Sequence, residues 1–365
     1  MKKLFVSIFV LLFVSQAYGQ TDLKTENVFL ITLDGTRWQE VFTGADGSLI
    51  GDEEYVDHPK ELKKAFWADR PEERREKLMP FFWNTLAKEG QLYGNRRLGS
   101  KINVRNPYWF SYPGYSEILV GYVDKGVDSN AKRWNPNTTV LEFIENQPGF
   151  EEKVAAFGSW DVFPYIINEK RSDVPVNAGF EKAKGSDLTE KQQILNELLP
   201  KIPSPWDYLR LDAFTHYYAL EHIKKNKPRL AYIAYGETDD FAHGGDFESY
   251  LESAHKTDGF IRELWDYVQS DPQYQNKTTF IIATDHGRGT EPKENWRHHG
   301  SDVEGADEVW LAVIGPDSPA LGEVEKGQLY QTQVAQTVAY LLGLEYENKK
   351  PVGQVIDTIF DEGVN

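Results

Sequence analysis

The chain alternates two hydrophobic patterns. Five short runs are apolar without interruption and each stops at a polar cluster: Val28 to Leu33, Val154 to Phe157, Leu230 to Tyr235, Thr279 to Ala283 and Val309 to Ile314. Runs of this length, rich in β-branched residues, suit strands covered on both faces. Between them lie stretches with helical spacing. Met79 to Glu89 ends at Gly90, Trp206 to Lys225 stops before Pro228, Ser249 to Val268 stops before Pro272, and Gln331 to Leu342 ends at Gly343. Strand and helix alternation predicts an α/β fold: a doubly wound, mostly parallel sheet with helices on both faces. Ligands of such sheets bind beyond the carboxyl ends of the strands.

Two segments stand apart from this alternation. Met1-Lys2-Lys3, the apolar stretch Leu4 to Val14 and the small residues of Ala17-Tyr18-Gly19 have the order of a signal peptide, residues 1–19, cleaved near Gly19-Gln20. Export to the periplasm or the outside is the expectation, with no stable membrane insertion after cleavage. Residues 20–365 then form a single catalytic domain, in which 161–205, with its prolines and Gly179 and Gly185, reads as an irregular cap. Asp52 to Lys77 is highly charged and reads as a solvated surface excursion.

Charge and composition narrow the partners. A net charge of −17 disfavours duplex nucleic acid and anionic membranes. It leaves room for a small anionic substrate, because a bound cation inverts the field locally. The chain has no cysteine, so any metal site must use His, Asp and Glu. Four of its eight histidines, His243, His286, His298 and His299, crowd one late stretch beside acidic residues.

Candidate chemistry gathers where strands end. Asp34 follows the first run and precedes Gly35; alone, this pair is more often a turn than a ligand. In Phe110-Ser111-Tyr112-Pro113-Gly114, Pro113 suits the first turn of a helix closing at Gly121. That leaves Ser111 at or just before the N-cap, either as a plain cap or as a hydroxyl held at a positive helix end. After the third run, Asp239 and His243 stand four apart on one helical face, with Asp240 as the rival acid. Asp285-His286-Gly287 ends the fourth run, and Arg297-His298-His299-Gly300 supplies two further imidazoles.

The ordered set Asp34, Ser111-Tyr112-Pro113, Asp239 with His243, Asp285-His286-Gly287 and His299-Gly300 resembles the alkaline phosphatase superfamily. It is similar in style to the type I phosphodiesterase and nucleotide pyrophosphatase branch and its bacterial relatives, from about Val28 to Leu342. The resemblance implies two zinc ions. Asp239, His243 and His299 would hold one; Asp34, Asp285 and His286 would hold the other, completed by the Ser111 oxygen. His298 competes with His299, which is preferred because it directly precedes Gly300. Arg297 and His298 would stand behind the ligands or meet substrate, and Asn130 would contact phosphate, with Asn135 and Asn106 as rivals.

Two departures bear on activity. The diesterase branch usually carries threonine as nucleophile, whereas Ser111 is typical of monoesterases and mutases. Sulfatases of the superfamily carry Arg two residues after the proline, where this chain has Tyr115. The expected activity is hydrolysis of small phosphate esters through a phosphoseryl intermediate, with monoesters preferred and diesterase activity measurable. Phosphodiesterase or pyrophosphatase activity, or phosphonate or sulfate ester hydrolysis on the same scaffold, is the enzyme alternative. An exported binding protein that keeps the fold is the non-enzyme alternative.

Overall fold

A computed structural model describes residues 23–360, so the expected signal peptide lies outside the described residues. Among them, no helix is long and apolar enough to cross a membrane. Eleven strands occur: β1 Asn27–Leu33, β2 Gln91–Tyr93, β3 Lys101–Asn103, β4 Val154–Gly158, β5 Val176–Ala178, β6 Leu230–Tyr235, β7 Thr278–Ala283, β8 Glu308–Val309, β9 Leu311–Ile314, β10 Gly322–Glu323 and β11 Gln328–Tyr330. Eight of them form one sheet in the order β10-β2-β9-β7-β1-β6-β4-β5. β5, which falls inside residues 161–205, is its edge strand. The remaining three form a small sheet, β11-β3-β8.

β1 occupies the centre, parallel to β6 on one side and β7 on the other. Successive side chains of a strand point to opposite faces. Phe29, Ile31 and Leu33 accordingly join one apolar core, and Val28 and Leu30 join a second. Both faces of β1 are buried along its whole length. That is why its sequence is a continuous apolar run rather than an alternating one, and why the sheet is doubly wound.

Some element boundaries differ from the sequence expectation. The run Val309 to Ile314 is two strands: β8 belongs to the small sheet and β9 pairs antiparallel with β7. Trp310 sits between them, buried, with its indole N–H donated to the Thr36 carbonyl at 2.9 Å. The helix expected from Trp206 begins only at Asp212, because residues 208–211 run extended along the turn after β4, with Asp161 N–H donated to Tyr208 O. Met79 to Glu89 contains a π-helical segment, Phe82–Leu86, whose start is fixed by Asp258 accepting from the Phe81 and Phe82 N–H groups.

Helix α1, Trp38–Thr43, follows β1 through a turn clamped by a buried ion pair. Arg37 donates Nε to Glu40 Oε2 at 2.8 Å and a second nitrogen to Oε1, with both side chains 1% exposed. Burial pushes the Glu40 carboxyl up, and Arg37 opposes that push. Removing the Glu40 charge would leave the buried guanidinium only Asp46 at 3.5 Å and the Gly289 carbonyl at 3.2 Å. Glu40→Gln should therefore lower unfolding free energy by roughly 3–5 kcal/mol. Urea unfolding checks this, and a change below about 1 kcal/mol would contradict the buried pairing.

Candidate metal centre and active site

The three central parallel strands all deliver acidic residues to one edge of the sheet. Asp34 leaves β1, Asp285 and His286 leave β7, and Asp239 sits in α4, Glu237–Gly244, two residues beyond the end of β6. α3, Asp212–Asn226, and α5, Phe247–Ser270, flank this edge on the same face. Asp34, Asp285 and His286 are buried, and the Gly35 N–H donates to Asp285 Oδ1 at 3.0 Å.

Helix α2, Ser111–Val120, points its first turn at the same place. Phe110 is the N-cap and Ser111 the first helical residue, one step further in than the sequence suggests. The helix reaches the β7 loop because residue 114 is glycine: a Cβ there would lie 2.4 Å from the Asp285 carbonyl oxygen. Ser111 Oγ lies 3.4 Å from His286 Nε2. Tyr115, one turn further along, donates its hydroxyl to Asp34 Oδ2 at 2.9 Å. Asn130 Oδ1 accepts from the Tyr112 N–H at 2.9 Å, which ties the Asn130 loop to the helix start. Asn135 and Asn106 lie elsewhere, bonded to Ser116 and Glu117.

Two groups of side chains come together. Asp239, His243 and His299 form one; Asp34, Asp285 and His286 form the other. Within each, the nearest ligand atoms all lie within 4.8 Å of one another. The helical spacing puts His243 Nε2 at 3.3 Å from Asp239 Oδ2 and 2.9 Å from His299 Nε2. His299, rather than His298, completes this group. His298 is exposed, and neither it nor Arg297 lines the cavity at Ser111.

These groups fit a cation. Asp34 Oδ1 and Asp285 Oδ2 are buried with no hydrogen-bond partner, an arrangement that costs several kcal/mol unless a positive charge is shared. Burial and then the neighbouring acid, Asp239 for Asp34 and Asp34 for Asp285, push both carboxyls well above their usual range. Asp239 behaves differently. Burial works against its charged form, but Arg288, His243 and His299 outweigh it and hold the carboxyl well below its usual value. The imidazoles of His286 and His299 also have one nitrogen engaged. His286 Nδ1 lies 3.0 Å from the Gly287 carbonyl and His299 Nδ1 lies 3.2 Å from the Trp109 carbonyl. Donation from Nδ1 leaves each Nε2 lone pair for a metal. The donor set, imidazole and carboxylate without thiolate, suits zinc.

The cavity over Ser111 has a volume of about 380 Å³. Beyond the residues already placed, Trp160, Tyr208, Leu209 and Asp240 line it. Tyr208 donates its hydroxyl to Asp240 Oδ1 at 2.6 Å, closing one wall. Trp160, Tyr208 and Arg288 were not among the expected site residues. The first two come from the turn and connection around residues 160 and 208, and no spacing rule links them to strand ends. An arginine directly after Asp285-His286-Gly287 was the available clue to Arg288.

A mostly parallel sheet that brings two Asp/His groups and a helix-borne hydroxyl to the carboxyl ends of its strands is the arrangement of the alkaline phosphatase superfamily. The model of the type I phosphodiesterase / nucleotide pyrophosphatase family matches residues 49–353, and the chain belongs to that family of phosphoester hydrolases. The match takes in Ser111, Asp239, His243, Asp285, His286 and His299, while Asp34 precedes it. No curated protein matches the chain in sequence. Solved structures share the fold. The alkaline phosphatase PafA is 10% identical over 93% of this chain and 99% of its own, with a TM-score of 0.59. Murine ectonucleotide pyrophosphatase/phosphodiesterase 5 is 12% identical over 92% and 100%, at 0.57, and an inactive variant of it has been solved with AMP. A 2-O glycosaminoglycan sulfatase, BT1596, is 12% identical over 92% and 74%, at 0.59.

Proposed function

We propose that the protein is a two-zinc phosphodiesterase with Ser111 as its nucleophile. The observation that carries the reading is the position of Ser111 Oγ, at the first turn of α2 and against His286, in a cavity lined by Asp34 of one group and by Asp239, His243 and His299 of the other. Asp34, Asp285 and His286 would hold one zinc and Asp239, His243 and His299 the other. Zinc would supply Lewis acidity, lowering the pKa of the serine hydroxyl and neutralising phosphoryl oxygens.

The chain's own groups do the rest. Ser111 Oγ loses its proton to solvent and attacks phosphorus in line; the Oγ–P bond forms, and the bond to the departing oxygen breaks with its electron pair, that oxygen taking a proton from solvent to leave as the alcohol. The positive end of α2 lies toward the developing negative charge, with its Tyr112 N–H taken by Asn130 and its Gly114 N–H by the Phe110 carbonyl. Asn130, anchored to Tyr112, lines the cavity where a phosphoryl oxygen would sit. Attack of water on the phosphoseryl group then releases the monoester and restores Ser111.

The cavity walls favour diesters over the monoester preference read from serine alone. A dianionic monoester brings an extra charged oxygen that needs a cation or strong donor. No Lys or Arg lines the cavity, and the Asp240 carboxylate does. Lys132 is engaged by Asp161 at 2.6 Å, and Arg297 donates to the His243 carbonyl at 3.1 Å. Trp160, Tyr208 and Leu209 instead offer apolar surface for a second substituent. The experiment compares kcat/KM for bis(p-nitrophenyl) phosphate and p-nitrophenyl phosphate with the zinc-loaded protein. A diester-to-monoester ratio above one is expected. A ratio below one overturns the diester preference, and no turnover of either ester overturns the enzyme reading.

A further inference from the structure

One side chain touches every chain segment that contributes to the two Asp/His groups. Arg288 is fully buried, two residues beyond His286. Its Nε donates to the Gly35 carbonyl at 3.0 Å, next to Asp34. One terminal nitrogen donates to the Arg297 carbonyl at 2.6 Å, two residues before His299. The other donates to the Asp239 carbonyl at 3.1 Å and to Asp239 Oδ1. Four segments, carrying Asp34, Asp239, Asp285-His286 and His299, thus converge on a single guanidinium.

The local backbone is shaped around this contact. Gly35 has a φ of +55°, and a Cβ there would lie 2.7 Å from Asp239 Oδ1 and 2.9 Å from an Arg288 nitrogen. A side chain at 35 would displace either the acid or the guanidinium. Both oxygens of Asp239 are placed by this contact: Oδ1 accepts from Arg288 and lies 3.7 Å from His299 Nε2, and Oδ2 lies 3.3 Å from His243 Nε2.

We propose that Arg288 is a positioning residue that holds the Asp239 carboxylate by Oδ1, fixing Oδ2 toward His243 and Oδ1 beside His299, and so preorganises that metal site. The inference rests on the metal reading of the two groups. A planar fork with five donors can bind acceptors on several segments at once, which an ammonium cannot. A buried cation beside a metal also repels it, so the geometric and electrostatic effects of Arg288 oppose each other. Four hydrogen bonds to fixed acceptors make positioning the larger effect, because freeing Asp239 leaves a buried carboxylate to reorient at each binding event.

The test measures zinc affinity at both sites by competition with a chromogenic chelator, in the parent protein and in Arg288→Met and Arg288→Lys. His243→Ala marks which zinc belongs to the Asp239 group. In Arg288→Met that zinc should bind about 10–100-fold more weakly, with the other within about twofold of the parent. Arg288→Lys should lose affinity at the same site despite keeping the charge. Unchanged affinities, or a gain in Arg288→Met, would overturn the proposal, the gain by showing that repulsion dominates. So would an equal fall at both sites, or failure of both variants to fold, since either would assign Arg288 to the fold in general. A parent protein that binds no zinc would instead overturn the metal reading, and this inference with it.

Discussion

Ser111→Ala should reduce turnover about 10⁴-fold or more while leaving the fold and both metals in place. The variant removes the atom that would bond to phosphorus, and little else depends on that atom. The start of α2 does not use it: Phe110 is the N-cap, and its carbonyl accepts from the Gly114 N–H at 3.0 Å. The hydroxyl's one close contact, His286 Nε2 at 3.4 Å, is long for a hydrogen bond. Three side chains able to hold a metal remain in each Asp/His group without it. The measurement is kcat with a chromogenic diester, beside melting temperature and metal content. Rapid acid quench of the parent should also trap phosphate on Ser111. Parental turnover in the alanine variant would remove Ser111 from the chemistry, whatever the metals do.

Removing metal should be as damaging to activity and more damaging to stability. Without a cation, Asp34 and Asp285 keep buried oxygens with no hydrogen-bond partner among the described residues, and Asp239 lies within reach of the same cluster. Binding to the folded state alone stabilises by mass action, about 2.7 kcal/mol at a hundredfold excess over Kd. Chelation should abolish turnover and lower the melting temperature. Zinc should restore both, better than calcium or magnesium, because imidazole and carboxylate donors in compact groups suit zinc. Elemental analysis is expected to give about two zinc ions per chain. One calcium and no zinc would reject the assignment, as would full activity after exhaustive chelation.

The residues that gather at the carboxyl ends of the strands were legible in the sequence because strand ends are punctuated. Val28 to Leu33 had to be a doubly covered strand, and the acidic residue after it had to fall at the sheet's ligand edge. The i, i+4 pair of Asp239 and His243 likewise follows from one helical turn. Choosing His299 over His298 needed the resemblance, since adjacent residues in a loop obey no period. What escaped was set by tertiary contact. Val309 to Ile314 looks like one strand because apolar content is continuous, yet Trp310 lets two sheets share it. Arg288 carries no pattern of its own; its meaning lies in three carbonyls and a carboxylate brought from distant segments. Trp160 and Tyr208 meet only because the turn after β4 pairs with the segment before α3.

The central place of β1 has a consequence for how the chain is made. Its neighbours come late: Thr32 meets Tyr232 across 200 residues, and Gly35 meets Asp285 across 250. At roughly 5–20 residues per second, synthesis leaves this apolar strand with both edges unpaired for on the order of tens of seconds. Unpaired edges template association with other chains. The strand that anchors the finished sheet is thus the segment most exposed to aggregation in the nascent one, and a fragment ending before Leu230 would keep that exposure permanently.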